Sequence, residues 1–318
     1  MSNKKRYSRG GFTILELLVA STVSIILLGL FLSVSTNILD AWGQSRDSLS
    51  ANAKARIILD TVGSDLQSAI IRNDSGIWLA SDLLASETGI SSRWENSQNQ
   101  KPAGAESLEI DFNDTDLSSE GYRFGVAGTW LRFFASPTDA SETGNSGDVN
   151  AIAYQLIRRK PHSRSSDSDE GYNLYRSVVR SDYTLEEVIE DGGYFIDAFD
   201  GNSFEGQAGE ITTPRNDSSL LARDVVDFGV VFYEPDLTGQ NSLLFPIEGG
   251  SQQIRVPIDG IPSSAEIFVR ILTEEGVKQL NAFERGLIPT TDPNFWWNTV
   301  QEFSSVYTRR VQLRAVGL

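Results

Sequence analysis

From Phe12 to Val34 the chain is apolar almost without interruption, and Glu16 is the only charged side chain in the run. The run is about 23 residues long, and a helix rising about 1.5 Å per residue would cover roughly 35 Å, enough to cross a bilayer. Acids are rare in such segments because a charge at membrane depth costs about 2.5–3.5 kcal/mol on insertion scales. Glu16 therefore calls for a compensating partner. Before the run stand Lys4, Lys5, Arg6 and Arg9, then Gly10 and Gly11. Basic residues ahead of a span predict a cytoplasmic N-terminus, with everything after about Ser35 outside the inner membrane.

Two plainer readings of this segment compete. A secretory signal peptide has an apolar core of about 7–15 residues followed by a small-residue cleavage site. The run here is longer and carries an acid near its start. A simple single-pass anchor would fit the length and leave Glu16 incidental.

The string Gly10-Gly11-Phe12-Thr13-Ile14-Leu15-Glu16-Leu17-Leu18-Val19-Ala20 resembles the processing signal of type IV pilins and pseudopilins. The resemblance implies that a prepilin peptidase cuts after Gly11 and methylates the new N-terminus, Phe12. It implies that Glu16, fifth in the processed chain, pairs with the free amine of a neighbouring subunit. A carboxylate in lipid becomes tolerable when a cation arrives beside it. Expected partners are thus the prepilin peptidase, other pilin-like subunits and the inner membrane.

Downstream, the resemblance is softer. Leu221–Tyr233, Pro262–Leu272 and Tyr307–Val311, with the stem segments Ala55–Asp60 and Asp65–Ala69, are similar to the J-type minor pseudopilins of type II secretion systems. The chain is longer than an ordinary J-type pseudopilin, mostly through polar insertions, and it also resembles the Verru_Chthon cassette C family of large prepilin-like proteins. The pilin-type motif spans residues 9–35, the stem likeness 36–75.

Beyond Ser35 the pattern predicts that the helix continues to about Asn73, with Asn73-Asp74-Ser75-Gly76 as its stop. Ile38, Trp42, Leu49, Ala53, Ile58, Val62, Leu66 and Ile70 read as one apolar stripe. Arg46, Asp47, Lys54, Arg56, Asp60 and Asp65 read as the polar face. Gly43 and Gly63 are candidate bends. After Gly76, β-branched and aromatic residues predict strands at Ser107–Phe112, Thr129–Ala135, Asn150–Arg158, Tyr172–Arg180, Val225–Glu234, Glu266–Thr273 and Val306–Val316. Short helices are predicted after Thr184, through a capping box, and from Thr273 to about Glu284. Segments rich in Ser, Gly, Asn and Asp at Ser91–Glu106, Ser136–Asp148, Lys160–Gly171 and Asp200–Ser218 read as loops.

The expected class is therefore α+β: a long N-terminal helix, half membrane and half amphipathic, on a β-rich pilin-like head. The expected organisation is a leader at 1–11, a membrane and assembly helix at 12–35, an amphipathic stem at 36–75 and an exported head at 76–318, periplasmic or extracellular. The net charge of −16 in 318 residues argues against nucleic acid and against a basic membrane-docking patch. No cysteine is present, so neither a disulfide framework nor a thiolate metal site is available.

Signals for catalysis are sparse, and no enzymatic role or cofactor is expected. The single histidine, His162, stands in a polar loop sequence. Gly121, Gly125 and Gly128 lack dinucleotide-loop spacing. Asp111, Asp114 and Asp116, and Asp167, Asp169 and Glu170, could hold calcium or simply face water. Neither set has the EF-hand pattern, and no metal site is expected. Trp296 and Trp297 are the candidate partner surface, with core packing as the plainer alternative. The reading that results is a non-enzymatic minor pilin or pseudopilin subunit near the tip of a fibre. The alternative is a pilin-type anchor carrying a glycan- or protein-binding head, and an anchored hydrolase is the weakest reading.

Overall fold

The structure, a computed structural model, describes residues 13–73, 76–83, 129–136, 149–159, 171–179, 219–235, 241–246, 253–292 and 295–314. The chain divides into two units, Met1–Ser50 and Ala51–Leu318. Their boundary falls inside the first element, helix α1 (Ile14–Gln67). The predicted strand at 107–112, the helix after Thr184, His162 and both acid clusters lie outside the described residues.

In the first unit α1 keeps its apolar side chains exposed, among them Ile25, Leu28, Phe31, Ile38, Trp42 and Leu49. In the second unit the same helix buries Ala51, Ala55, Ile58, Val62 and Leu66, at steps of three and four that form one helical face. The single stripe read from the sequence is thus two. Trp42, Leu49 and Ala53 are exposed, and the five-residue step from Ala53 to Ile58 is not a helical repeat. The buried face starts instead at two alanines, small enough to let the helix approach the sheet. Gly63 continues that close approach: a Cβ there would meet Val311 Cγ1 at 3.2 Å. Its role is close packing rather than a bend.

α1 also ends earlier than predicted, at Gln67 rather than near Asn73. The Ser68 hydroxyl donates to the Asp65 carbonyl at 2.8 Å. The chain then pairs with the end of a strand: Ile70 N–H donates to Phe134 O at 2.7 Å, and Ser136 N–H to Ser68 O at 3.2 Å. Sheet pairing takes over the backbone groups that another helical turn would have used.

The second unit contains ten strands among its described residues: β1 (Leu79–Leu83), β2 (Thr129–Ala135), β3 (Asn150–Arg159), β4 (Gly171–Val179), β5 (Leu220–Arg223), β6 (Val225–Pro235), β7 (Asn241–Phe245), β8 (Gln253–Val256), β9 (Ser264–Leu272) and β10 (Ser304–Gln312). They form an antiparallel six-stranded sheet, β5-β4-β3-β2-β1-β8, and an antiparallel four-stranded sheet, β10-β9-β6-β7. The six predicted strands within the described residues are all present. β1, β5, β7 and β8 were not predicted. Each is five residues or fewer, too short for alternation to stand out.

The chain crosses from one sheet to the other at Asp224, between β5 and β6. Its φ of 66° is left-handed, a conformation that Asp tolerates better than most non-glycine residues. Its N–H donates to Tyr172 O on β4 and its carbonyl accepts from Leu272 N–H on β9, each at 2.8 Å. One residue thereby belongs to both ladders.

Helix α2 (Glu274–Glu284) follows Thr273, as predicted; the Thr273 hydroxyl caps it by accepting from Gly276 N–H at 3.2 Å. α3 (Phe295–Phe303) was not predicted and carries the tandem tryptophans. One hydrophobic core joins Ile58, Val62 and Leu66 of α1 to Phe133 and Tyr154 of the larger sheet, Phe228 and Val269 of the smaller, and Leu280, Trp296 and Val300 of the two C-terminal helices. The observed class is α+β.

Candidate functional site: the N-terminal helix and its seat on the head

Gly11 and Phe12 precede the described residues. Glu16 stands in the first turn of α1 and closes a reciprocal cap. Its Oε2 accepts from Thr13 N–H at 3.0 Å and from Thr13 Oγ1 at 3.1 Å, while Glu16 N–H donates to Thr13 Oγ1 at 3.2 Å. This is a capping box, in which residue and backbone satisfy each other's otherwise unmatched groups. Its signal, Thr-x-x-Glu, was legible in the sequence but was read only for its charge. Both carboxylate bonds use Oε2, so Oε1 keeps its capacity to accept.

By length and composition α1 can cross a membrane: its most apolar 18-residue window has a mean hydropathy of 2.5, and none of that window is buried. Three of the hydroxyls inside the run, those of Ser21, Thr22 and Ser24, are satisfied by the helix itself. Ser21 donates to Leu18 O and Ser24 to Ala20 O, both at 2.8 Å, and Thr22 donates to Val19 O at 2.9 Å. Such back-bonding removes the cost of an unpaired donor in hydrocarbon.

Along its last five turns α1 is tied to the head by charges as well as apolar contacts. Lys54 pairs with Asp224 at the sheet crossing. Asp60 pairs with Arg309 of β10. Asp65, read from the sequence as polar-face, is only 3% exposed. It accepts from Tyr154 OH, from Arg176 Nε at 2.7 Å and from Arg176 Nη2 at 3.1 Å. A buried carboxylate is tolerable with donors on both oxygens. Burial, then the Asp65 charge, pushes the Tyr154 hydroxyl well above the usual phenol range. Arg176 is also raised: burial works against its charge, and the hydrogen bond and charge of Asp65 outweigh it. A cavity of about 320 Å³ adjoins Lys54 and Asp224, lined otherwise by Ile57 and Leu220–Arg223. Of its three charged lining residues, Lys54 and Asp224 pair with each other, and Arg223 is the third.

The tandem tryptophans separate. Trp296 is 4% exposed; its Nε1 donates to Glu284 Oε1 at 3.1 Å and to Tyr172 OH at 3.3 Å. That corrects its candidacy for a partner surface: the ring lies in the core because its one polar atom finds acceptors there. Trp297 is half-buried, with the Arg270 guanidinium 5.0 Å from its ring centroid. A buried ion pair occupies the larger sheet, where Asp82 meets Arg132 and, at 3.0 Å, Arg255. The Arg132 guanidinium lies 3.6 Å from the Trp130 ring centroid. These groups are spent on one another. Among the described residues no cluster of three His, Cys, Asp or Glu is placed to hold a metal.

No family model, curated protein or solved structure matches this chain.

Proposed function

We propose that the chain is a non-enzymatic minor subunit of a pilin-type fibre or secretion pseudopilus. A prepilin peptidase cuts it after Gly11 and methylates Phe12. The inner membrane holds it through α1 until it joins other pilin-like subunits. Glu16 then accepts from a neighbouring amine through Oε1, the oxygen its own cap leaves available. The observation that carries this reading is the Gly11-Phe12-Thr13-x-x-Glu16 string opening a helix that is apolar all round at first and seated on a β-rich head at its end. A bulky head fits poorly inside a fibre's repeat, which favours a place at or near the tip.

The experiment is a stoichiometry measurement by quantitative mass spectrometry on fibres or secretion complexes isolated from native membranes. The expected result is co-purification at far below one copy per major subunit. Equal abundance along the fibre would overturn the tip placement. Absence from every such assembly would overturn the subunit reading.

A further inference from the structure

We propose that Glu16 and Trp42 set the depth of α1 in the bilayer, so that the hydrocarbon-spanning segment of the unassembled chain is Leu17–Leu39 rather than Phe12–Val34. The proposal rests on α1 being a membrane span and adds where that span begins and ends. Leu17–Leu39 contains no charged residue, is bounded by Glu16 and Asp40, and matches the other run at about 23 residues, roughly 35 Å.

Three observations favour the shifted register. The Glu16 carboxylate reaches back to Thr13, one turn towards the N-terminus and away from the middle of the span. With hydrocarbon starting at Leu17, that carboxylate and its cap lie in the headgroup layer, where water can solvate the charge. Secondly, Thr36 Oγ1 donates to Ser33 O at 2.9 Å, so Thr36 enters the hydrocarbon with its donor satisfied, as Ser21, Thr22 and Ser24 do. Thirdly, Trp42 is 71% exposed, and tryptophan concentrates at membrane–water interfaces. A hydrocarbon edge at Val34 puts Trp42 about 12 Å beyond it, past a headgroup layer about 5–7 Å deep; an edge at Leu39 puts it about 4–5 Å beyond, within that layer. Against the shift stand Ser35 and Asn37, which it would bring under the outer boundary. They are uncharged and near the edge, and Ile38 and Leu39 enter with them.

Because the chain has no cysteine, single-cysteine variants report one position each. The full chain carrying Ser24→Cys, Thr36→Cys or Ser45→Cys is reconstituted in phosphatidylethanolamine–phosphatidylglycerol vesicles and treated with a membrane-impermeant maleimide, with detergent-solubilised protein as the reference. The expected result is rapid labelling at Ser45→Cys, and labelling at Thr36→Cys and Ser24→Cys only after detergent. Adding Glu16→Leu to Thr36→Cys should raise its labelling in vesicles at least tenfold, because the span can then slide towards the N-terminus. Labelling of Thr36→Cys as fast as Ser45→Cys would overturn the register while leaving the span intact. Insensitivity of Thr36→Cys to Glu16→Leu would overturn the role of Glu16. Labelling of Ser24→Cys in sealed vesicles would instead defeat the membrane reading itself.

Discussion

The residues of α1 before Ser50 and those after it share one backbone conformation and differ in what surrounds them. Before Ser50 the apolar side chains of Ile25, Leu28 and Phe31 are exposed; after it Ile58, Val62 and Leu66 are fully buried. Burying a large aliphatic side chain is worth about 1.5–3 kcal/mol, but only against a partner. The later part has its partner in the head, through apolar contacts and three ion pairs. The earlier part has no such partner among the described residues, and by length and composition it can cross a membrane. Helix formation therefore says little about role; the distribution of apolar residues around the helix says more. A helix apolar all round belongs in a core or a membrane, and a helix with one stripe belongs on a surface.

The sharpest way to break that comparison is to truncate one leucine in each part. Leu66→Ala should lower head stability by about 2–5 kcal/mol, because a buried site collapses only partly around the lost methyls. Leu28→Ala should leave the head's melting temperature unchanged. Thermal unfolding of both variants in detergent, followed by near-ultraviolet circular dichroism, makes the comparison. Equal effects would mean that the two parts of the helix are not energetically distinct.

Next in size is the buried anchor. Asp65→Leu removes the acceptor shared by Tyr154 and Arg176 and strands a partly buried guanidinium, which should cost about 3 kcal/mol. Pairing Asp65→Leu with Arg176→Met should recover part of that loss. A double-mutant cycle in denaturant measures the recovery, and strict additivity would show that the pair is not coupled.

A third comparison uses one chemical change with opposite signs. At Gly43 nothing lies within 4 Å of an added Cβ, so Gly43→Ala should stabilise the helix by up to about 1 kcal/mol. At Gly63 the added methyl meets Val311 at 3.2 Å. There the same substitution should destabilise the head, because Val311 sits on a hydrogen-bonded strand and cannot withdraw freely. Hydrogen exchange of α1 and β10 amides separates the two effects.

The smallest expected effect concerns pH. Burial, and then the neighbouring Glu266, push the Tyr233 hydroxyl up to about 12. A raised folded value means that the fold prefers the protonated phenol. Its contribution is complete below pH 10, the unfolded value, and is lost as pH rises from 10 towards 12. Tyr233→Phe should flatten the decline in stability over that window without altering the curve near neutrality. An unchanged slope in alkaline denaturation curves would remove Tyr233 from the explanation.

The sequence showed these features unevenly, for physical reasons. β2, β3, β4, β6, β9 and β10 were readable because they are seven or more residues long and dense in β-branched and aromatic side chains. β5 and β8 have four residues each, too few to display a period, and they exist because neighbouring strands supply their hydrogen bonds. α3 was hidden because Phe295-Trp296-Trp297 reads as an apolar cluster, not as the first turn of a helix. Asp65 was misplaced because its partners, Tyr154 and Arg176, lie about ninety and a hundred and ten positions away, where no local pattern can point to them. Glu16 was singled out by its charge, while its cap with Thr13 required reading the same residues as helix chemistry.

The most direct test of the account is the intact mass and N-terminal peptide of the protein recovered from its native membrane. A chain beginning at N-methylated Phe12 is the predicted result. A chain still carrying residues 1–11, or one cut beyond the apolar run, would contradict it and reduce the opening motif to an anchor or an export signal.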